Sequence, residues 1–483
     1  MKDRDSKHRR VRIALILFSI SGLMALLSLY LLSARAQSLD GFWQSDAYGL
    51  LVEIRGANLN TYQTTSISCL PWWTAKRSDG DGKKSEVVFE RGDTPIRLTS
   101  GSAPDTLLMR DGVSVSSVSL RRISARPDNC SDKLANTPQN NYAVFWQTFS
   151  EQFALFPLYG ADWAAVDRKY RPQVTASTTP EELFGVLREM ILPFHNAHTN
   201  INAQPINRLY IGYKPVSEIG LKLQPPNSLS IKEFIDLSTQ LAQRTRDIIE
   251  PKYSEGKLRS YCNDVIYFGM LRNSIGYLRI LGFEGYAKDG GFEQGMISLE
   301  AALDDIFKDA KQMNGLVIDV RINPGGADPF CLAVASRLTG AKYLAYSKVT
   351  RDNLSGPLRF TEPQPVWVDV STRPGYRGKI VLLIGPETIS GGETFAMALM
   401  GRKPQVTSVG ENTQGVFSDI FARRLPNGWT FGLPNELFLT ETGKSFDGAG
   451  VPPDIRAPVF PKVDLEGGRD SALEKALEAL GKR

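Results

Sequence analysis

The feature that most constrains the fold of this chain is a strand-to-helix turn that carries one serine. Residues 381–384 read Val-Leu-Leu-Ile, a short apolar run typical of a buried strand, and the amphipathic run 394–400 predicts a helix. Between them, Ser390 is followed by Gly391 and Gly392. The amides at the start of a helix point toward a ligand, and glycine lets a substrate approach the backbone closely. The turn therefore suits a nucleophilic serine, but taken alone it fits an ordinary serine N-cap better, because short motifs often match by chance.

Three further segments carry residues that suit an active site. Residues 315–326 read Gly-Leu-Val-Ile-Asp-Val-Arg-Ile-Asn-Pro-Gly-Gly, a second apolar strand that runs into a Pro-Gly-Gly turn. Residues 192–199 end a helical stretch with Leu-Pro-Phe-His-Asn-Ala-His-Thr, and residues 447–454 read Asp-Gly-Ala-Gly-Val-Pro-Pro-Asp. The order of the four segments is more specific than any one of them.

Together the four segments resemble the serine peptidase family of the tail-specific (C-terminal-processing) proteases and the tricorn protease core. The resemblance covers residues 140–460 and implies an α/β, ClpP/crotonase-like catalytic core with a helical lead-in. It also implies peptidase chemistry with a serine nucleophile, a histidine base, an acid and an oxyanion hole of backbone amides. The residues assigned in this way are the catalytic Ser390, His198 and Asp447, and the oxyanion-hole Gly391 with Gly325 or Gly326.

The two branches of this family differ in the general base. The processing proteases carry a lysine at the end of a Gly-Glu-x-Thr-x-Gly-Lys segment, and Val416 occupies that position here. His198 falls where the tricorn-like branch carries its base, so the resemblance implies a Ser-His arrangement. The lysines closest to the motifs, Lys403 and Lys444, lie in polar, glycine-containing stretches that predict exposed side chains.

Two positions depart from the tricorn-like pattern. Ala197 stands where that branch has a serine, and Asp447 stands where it has a glutamate, so the carboxylate is one methylene shorter. If the alignment shifts, Glu441 or Asp454 could supply the acid instead. A Ser-His mechanism survives these changes, and a weak or narrow-range protease is predicted.

Histidine is scarce in this chain: the three residues are His8, His195 and His198. His8 precedes the apolar N-terminal segment, so a histidine base must be one of the other two. An imidazole with an ordinary pKa predicts activity that rises through a pKa of about 6–7. The alternative to a catalytic role is a structural one, as a partly buried histidine at the end of a helix. This alternative fits His195 best. A His-x-x-His zinc pair lacks a nearby third ligand, and no metal or organic cofactor is predicted.

Composition indicates an ordinary globular protein. The 483 residues are 42% hydrophobic and 23% charged, which leaves room for two or three domains. The net charge of +5 is mild, and neither a basic patch with interleaved aromatic residues nor a glycine-rich phosphate loop appears. These features predict no nucleic acid partner. The family resemblance implies a peptide or unfolded protein as substrate, and the oligomeric state stays open.

The first 36 residues predict export. A basic head precedes an uncharged, mostly apolar run at 13–34, and Ala34-Arg35-Ala36 fits a signal-peptide cleavage site. The run is also long enough to span a bilayer, so residues 1–36 are either a signal peptide or an N-terminal membrane anchor. In both cases the body is expected outside the cytoplasm, in a periplasm-like space. Cys69 and Cys130 could pair there.

The rest of the chain divides by composition and periodicity. Alternating strand patterns, including Val113 to Val118, predict a small antiparallel β-barrel or meander, and phenylalanines at helical spacing from Phe145 predict a core-facing helix. The predicted units are a β-rich domain (37–125), a linker (126–141), a helical subdomain carrying the histidine (142–200), a mixed segment without a clear PDZ domain (201–274), the catalytic core (275–462) and a tail helix (463–483).

Two other functions fit the same fold class. A catalytically silent binding protein for an apolar ligand or peptide is one, because a fold does not fix a function. An acyl-CoA enzyme of the crotonase type is the other, but it requires a basic CoA-binding patch that the sequence lacks. A binding protein has no physical need for Ser390, His198 and Asp447 together, so the peptidase is preferred.

Overall fold

The computed structural model describes residues 39–78, 86–130, 134–217, 231–352 and 358–481. The predicted signal or anchor at 1–36 lies outside these ranges. Within them, no helix is both long and apolar enough to cross a membrane.

The N-terminal domain is a closed antiparallel barrel of eight strands. They are β1 Gly41–Ser45, β2 Leu50–Arg55, β3 Asn58–Thr65, β4 Ser68–Arg77, β5 Glu86–Arg91, β6 Thr94–Ser100, β7 Thr106–Asp111 and β8 Val118–Ile123. The barrel closes because β1 pairs with both β2 and β8. Its interior is filled by apolar side chains, including Trp43, Val52 and Phe89. The predicted small antiparallel β domain is confirmed.

One predicted strand of this domain is absent from the structure, and a disulfide is present. The predicted strand at 113–118 is wrong, because this stretch is mostly the turn between β7 and β8. The Ser114 hydroxyl donates to the carbonyl oxygen of Ser116 at 3.0 Å and accepts from the Ser116 amide at 3.2 Å, which stabilises the turn instead. Cys69 and Cys130 form a disulfide that links β4 to the segment after the barrel.

A helical layer follows the barrel. Its helices are α1 Pro138–Gln152, α2 Phe156–Tyr159, α3 Trp163–Tyr170 and α4 Pro180–Ile191. Helix α1 begins inside the predicted linker, since the Thr137 side chain caps it and proline at the first position is preorganised for a helix. The phenylalanine stripe lies in the core, as predicted: Phe153 is fully buried and its ring lies 4.6 Å from that of Phe194. This packing fixes the end of the turn after α4, four residues before His198.

The described residues from Asn200 to Gly481 form an α/β unit with several sheets, called the core below. Its elements are β9 Asn200–Ala203, β10 Arg208–Ile211, α5 Ile231–Lys252, β11 Arg259–Tyr261, β12 Ile266–Leu271, β13 Ile275–Ile280, α6 Gly291–Phe307, β14 Gly315–Asp319, β15 Ile322–Asn323, α7 Asp328–Ser336, β16 Tyr343–Thr350, β17 Gln364–Val368, β18 Ile380–Ile384, β19 Glu387–Thr388, α8 Gly391–Met400, β20 Thr407–Gly410, β21 Ile420–Arg424, β22 Thr430–Pro434, β23 Glu436–Leu439, β24 Ile455–Arg456, α9 Lys462–Glu466 and α10 Ser471–Gly481.

The largest sheet has seven strands in the order β11-β12-β13-β14-β18-β20-β24. Strands β13, β14, β18, β20 and β24 run parallel, and β11 and β12 add an antiparallel edge. The predicted boundary between 274 and 275 thus falls inside this sheet. Helix α10, predicted as a tail, packs against it through Leu473. Asp470, just before α10, pairs with the buried Arg321 at 2.7 Å.

Two short pairings bring the motif segments together. Strands β15 and β19 pair in parallel, with Asn323 opposite Thr388, so the Pro-Gly-Gly turn lies beside the serine turn. Strand β9, just after His198, pairs with β22 of the core. The chain therefore carries the histidine segment to the same edge of the core.

Candidate active site

Ser390 occupies a strained turn between β19 and α8. Its φ of 51° and ψ of −118° lie outside the regions that L-residues favour. Neighbouring bonds hold the turn in place: the Ile389 amide donates to the Asn323 carbonyl oxygen at 2.9 Å, and Thr388 Oγ1 donates to the Val320 carbonyl oxygen at 2.8 Å. Strain of this kind persists only where the surroundings enforce it, and it is common at functional sites.

The two glycines of the Pro-Gly-Gly turn lie directly against this serine. A Cβ added to Gly325, whose φ is +107°, would lie 2.8 Å from Ser390 Cβ. At Gly326, with φ +128°, an added Cβ would lie 2.2 Å from the Phe283 carbonyl oxygen. Neither position has room for a side chain: the serine turn excludes one at Gly325, and the Phe283 backbone excludes one at Gly326.

Their amide groups are not equivalent. The Gly325 amide donates to Asn323 Oδ1 at 2.9 Å and is therefore occupied. Among the described residues, no acceptor is found for the amides of Gly326 or Gly391. Of the three predicted oxyanion-hole glycines, these two have free donors beside Ser390, whereas the sequence left Gly325 and Gly326 as alternatives.

His198 is buried, with 5% of its surface exposed. Its amide donates to Asn196 Oδ1 at 2.9 Å, which shapes the turn that carries it. Nδ1 contacts the carbonyl oxygen of Ser418, an arrangement that places the ring proton on Nδ1 and leaves Nε2 with a lone pair. Burial lowers the pKa of His198 to about 4, partly offset by the Ser418 carbonyl and by Asp419. The imidazole is thus neutral at neutral pH.

The segments of Ser390 and His198 pack against each other. Ala197, next to the histidine, lies against a small apolar cluster that contains Ile389 and Val416, the former next to the serine. No hydrogen bond joins the Ser390 hydroxyl to the His198 ring in this structure. Contacts between a nucleophile and its base are often loose in a free enzyme and tighten when substrate binds.

Asp447 lies in the same region but does not hydrogen-bond to His198. Its carboxylate accepts from Ser445 Oγ at 2.8 Å and from the Phe417 amide at 3.4 Å. Burial raises its pKa to about 6, although both hydrogen bonds act in the opposite direction. Because Phe417 precedes Ser418, Asp447 contacts the segment whose carbonyl holds the histidine ring.

The alternative acids lie elsewhere. Asp454 is exposed and accepts from the Ser408 amide at 2.8 Å, and Glu441 lies in an exposed turn. No group of three His, Cys, Asp or Glu side chains among the described residues could hold a metal ion, so the zinc alternative for His195 and His198 finds no third ligand there.

Comparison with family models decides the family. The model of peptidase family S41 matches residues 274–457, and that of the tricorn protease C1 domain matches residues 134–192. The two matches include both the serine turn and the helical lead-in. Residues 274–457 form a core of the peptidase family S41 type. The protein is therefore a serine-type peptidase, and the predicted relation to the tail-specific and tricorn proteases is confirmed.

Solved structures show the same fold. A candidate peptidase from Parabacteroides merdae superposes with a TM-score of 0.56 at 22% identity, over 72% of this chain and 97% of that one. Mature CPAF complexed with lactacystin superposes with a TM-score of 0.50 at 13% identity, over 71% of this chain and 97% of that one. No curated protein sequence is significantly similar to the chain.

The S41 peptidase fold also reveals a carboxylate whose role the sequence left unassigned. Glu393, in the first turn of α8, is fully buried and accepts from the amides of Ser390, Gly415 and Val416 at 3.2, 2.6 and 2.7 Å. Thr413 Oγ1 donates to it at 2.5 Å. Burial raises the pKa of Glu393 to about 7, against these hydrogen bonds. Glu393 thus fastens the serine turn to the 413–416 loop.

A lysine was also missed. Lys214, which follows β10, donates from Nζ to the carbonyl oxygens of Gln414 and Gly448. Burial lowers its pKa, whereas the charges of Glu393 and Asp447 raise it. Because Lys214 lies some 200 residues before the loops that it joins, no local motif could have identified it. Lys403 and Lys444 are exposed, as predicted.

Proposed function

We propose that this S41 peptidase is exported and cleaves peptide bonds with Ser390 as nucleophile and His198 as general base. The observation that carries the proposal is the strained Ser390 turn with two free amides, those of Gly326 and Gly391, beside it. A neutral imidazole packed nearby supplies the base. The substrate is a peptide or an unfolded protein.

In the first half of the reaction, Ser390 Oγ attacks the scissile carbonyl carbon while its proton moves to His198 Nε2. The carbonyl oxygen becomes an oxyanion, and the Gly326 and Gly391 amides donate to it. Loss of one such donor typically lowers the rate about 100- to 1,000-fold. The C–N bond then breaks, and the imidazolium returns the proton to the leaving amine.

In the second half, water attacks the carbonyl carbon of the acyl-enzyme ester while His198 takes a proton from that water. The ester C–O bond then breaks, the carboxylic acid product leaves, and His198 returns the proton to Ser390 Oγ. The Ser418 carbonyl keeps the ring in the tautomer that this requires. We assign Asp447 an indirect role: it holds the Phe417–Ser418 segment and does not touch the imidazole.

The export part of the proposal is supported by two features. The N-terminal 1–36 segment has the pattern of a signal peptide or anchor, and a disulfide persists best in an oxidising compartment. The mass of the protein recovered from the membrane and soluble fractions of an expressing bacterium tests it. Cleavage after Ala36 gives a soluble product without residues 1–36, and a retained anchor gives the full mass in the membrane. Full-length protein in the cytoplasmic fraction would refute export.

The catalytic part is tested with a fluorophosphonate probe and peptide mapping. The wild type is expected to label at Ser390, and Ser390→Ala to lose the label. Ser66→Ala is the matched control, because Ser66 lies exposed in the turn between β3 and β4. Labelling at another serine, or none in a folded sample, would favour a catalytically silent binding protein.

A further inference from the structure

A charged cluster lies where the barrel meets the core; its lysine and its glutamate are buried, and its aspartate side chain is 58% exposed. It consists of Lys348 on β16, Asp419 just before β21 and Glu436 at the start of β23. Lys348 Nζ lies 2.7 Å from Asp419 Oδ2 and 3.2 Å from Glu436 Oε2. The side chains of Lys348 and Glu436 are each 2% exposed. One lysine thus faces two carboxylates, and a buried carboxylate needs further donors to be stable.

The barrel supplies one of those donors. Tyr48, in the turn between β1 and β2, donates its hydroxyl to Glu436 Oε1 at 2.6 Å. Thr350 Oγ1 in turn donates to the Tyr48 hydroxyl at 3.0 Å, and Arg423 donates to the Tyr48 carbonyl oxygen. A hydrogen bond to a charged group contributes about 1.5–3 kcal/mol. Tyr48 therefore satisfies the carboxylate oxygen that Lys348 does not.

The same glutamate holds the segment that contacts the histidine. The Asp419 amide donates to Glu436 Oε2 at 3.3 Å, and the Glu436 amide donates to Ser418 Oγ at 3.3 Å. The Ser418 carbonyl then accepts from His198 Nδ1. The path of contacts from the barrel to the imidazole thus runs from Tyr48 through Glu436 and Ser418.

We propose that Tyr48 is a positioning residue, through which docking of the barrel fixes the Ser418 carbonyl and hence the orientation of the His198 ring. The catalytic consequence rests on the proposed function, because His198 matters to the rate only as the base. Without the Tyr48 hydroxyl, Glu436 keeps a buried oxygen with no donor, and the 418–419 segment must shift to satisfy it. A displacement of about 1 Å in a catalytic geometry costs about 100-fold in rate.

The test compares Tyr48→Phe with Tyr62→Phe in the full chain. Tyr62 is the matched control, because its hydroxyl donates at 3.0 Å to Glu53, a residue of the same barrel domain. We measure kcat and KM on a peptide substrate, the fluorophosphonate inactivation rate, and the ¹⁵N and ¹H resonances of the histidine rings. His198→Asn assigns the His198 resonances.

For Tyr48→Phe we expect kcat and the inactivation rate to fall about 10- to 100-fold, with little change in KM, and the His198 ring resonances to move. Tyr62→Phe is expected to match the wild type. Wild-type kcat and resonances in Tyr48→Phe, or equal losses in both variants, would overturn the proposal.

If Tyr48→Phe does not fold, Glu436→Gln is measured in the same way. The glutamine keeps an acceptor for the Tyr48 hydroxyl but removes the negative charge that binds Lys348 and the Asp419 amide. Unchanged His198 resonances in a folded Glu436→Gln would also refute the proposal. The resonances separate the two hypotheses: absence of labelling at Ser390 in the wild type refutes the proposed function, whereas the ring position still tests the role of Tyr48.

Discussion

The Nδ1 atom of His198 contacts the carbonyl oxygen of Ser418, and this single contact determines which ring nitrogen keeps its lone pair. A carbonyl can only accept, so the ring proton must lie on Nδ1, and Nε2 keeps its lone pair. In the proposed mechanism, the Ser418 carbonyl therefore takes the place that a carboxylate has in a Ser-His-Asp triad. Two acidic residues lie next to the segment that carries this carbonyl. Asp447 accepts from the Phe417 amide, and Asp419 directly follows Ser418.

The pH dependence of inactivation follows from this burial. The base must be neutral, and burial lowers the pKa of His198 to about 4, so its step is expected near pH 4 and not near the ordinary 6.5. Asp447 has a pKa of about 6 and Glu393 a pKa of about 7, so each can add a step to the pH profile of inactivation. The first step should disappear in Asp447→Asn and the second in Glu393→Gln. The fluorophosphonate inactivation rate between about pH 3 and about pH 9 measures them. A step between pH 6 and 7 that survives both replacements would contradict the account.

Lys214 is expected to be structural and not a base. Replacing it with methionine removes two partly buried hydrogen bonds to backbone carbonyls, which should lower the free energy of unfolding by about 1–3 kcal/mol. Lys444→Met, at an exposed lysine, should leave stability unchanged. Denaturant unfolding measures both. The pH profile of inactivation in Lys214→Met should match that of the wild type at alkaline pH. If the wild-type rate rises above about pH 9 and this variant lacks the rise, the base is a lysine.

The Pro-Gly-Gly turn should tolerate no side chain. Gly326→Ala places a Cβ against the Phe283 carbonyl and should lower fluorophosphonate labelling by at least about 100-fold, because the amide beside it moves. Gly185→Ala is the control, since Gly185 lies inside α4 with open space around it. That variant should label normally and gain about 0.5–1 kcal/mol of stability. Normal labelling of Gly326→Ala would remove the Gly326 amide from the oxyanion hole.

The disulfide between Cys69 and Cys130 should stabilise the barrel and its junction with the helical layer. It closes a loop of 61 residues, and Cys130→Ser is expected to cost about 2–4 kcal/mol. Cys262→Ser, at a free thiol, should cost less than about 1 kcal/mol. Thermal unfolding with and without a reductant measures this. A Tm that reduction leaves unchanged would show that the bridge is absent in solution.

The sequence was most informative where function imposes local patterns. The Ser390 turn and the Pro-Gly-Gly turn could be predicted, because each is the end of a strand followed by a pair of glycines. Such glycines indicate that another segment of backbone approaches closely. The phenylalanine stripe was read correctly for the same reason: its helical period is local. The strand predicted at 113–118 failed because Ser114 bonds to the backbone two residues on, a competition that alternation of valine and serine does not reveal.

Contacts that depend on how distant segments meet could not be predicted. Lys214 reaches loops more than 200 residues away, and Tyr48 meets Glu436 across 388 residues. The choice between Gly325 and Gly326 likewise depended on Asn323, whose side chain occupies one of the two amides. These contacts follow from sheet pairing and domain docking, which no short motif encodes.

The central claim is that His198 activates Ser390, and the second-order rate constant of fluorophosphonate labelling in His198→Asn tests it most directly. His195→Asn is the matched control, because His195 has a φ of 42°, a conformation that asparagine adopts readily. With both variants folded, we predict that His198→Asn labels Ser390 about 100- to 10,000-fold more slowly than the wild type, and that His195→Asn labels at nearly the wild-type rate. A His198→Asn variant that labels Ser390 as fast as the wild type would contradict the account.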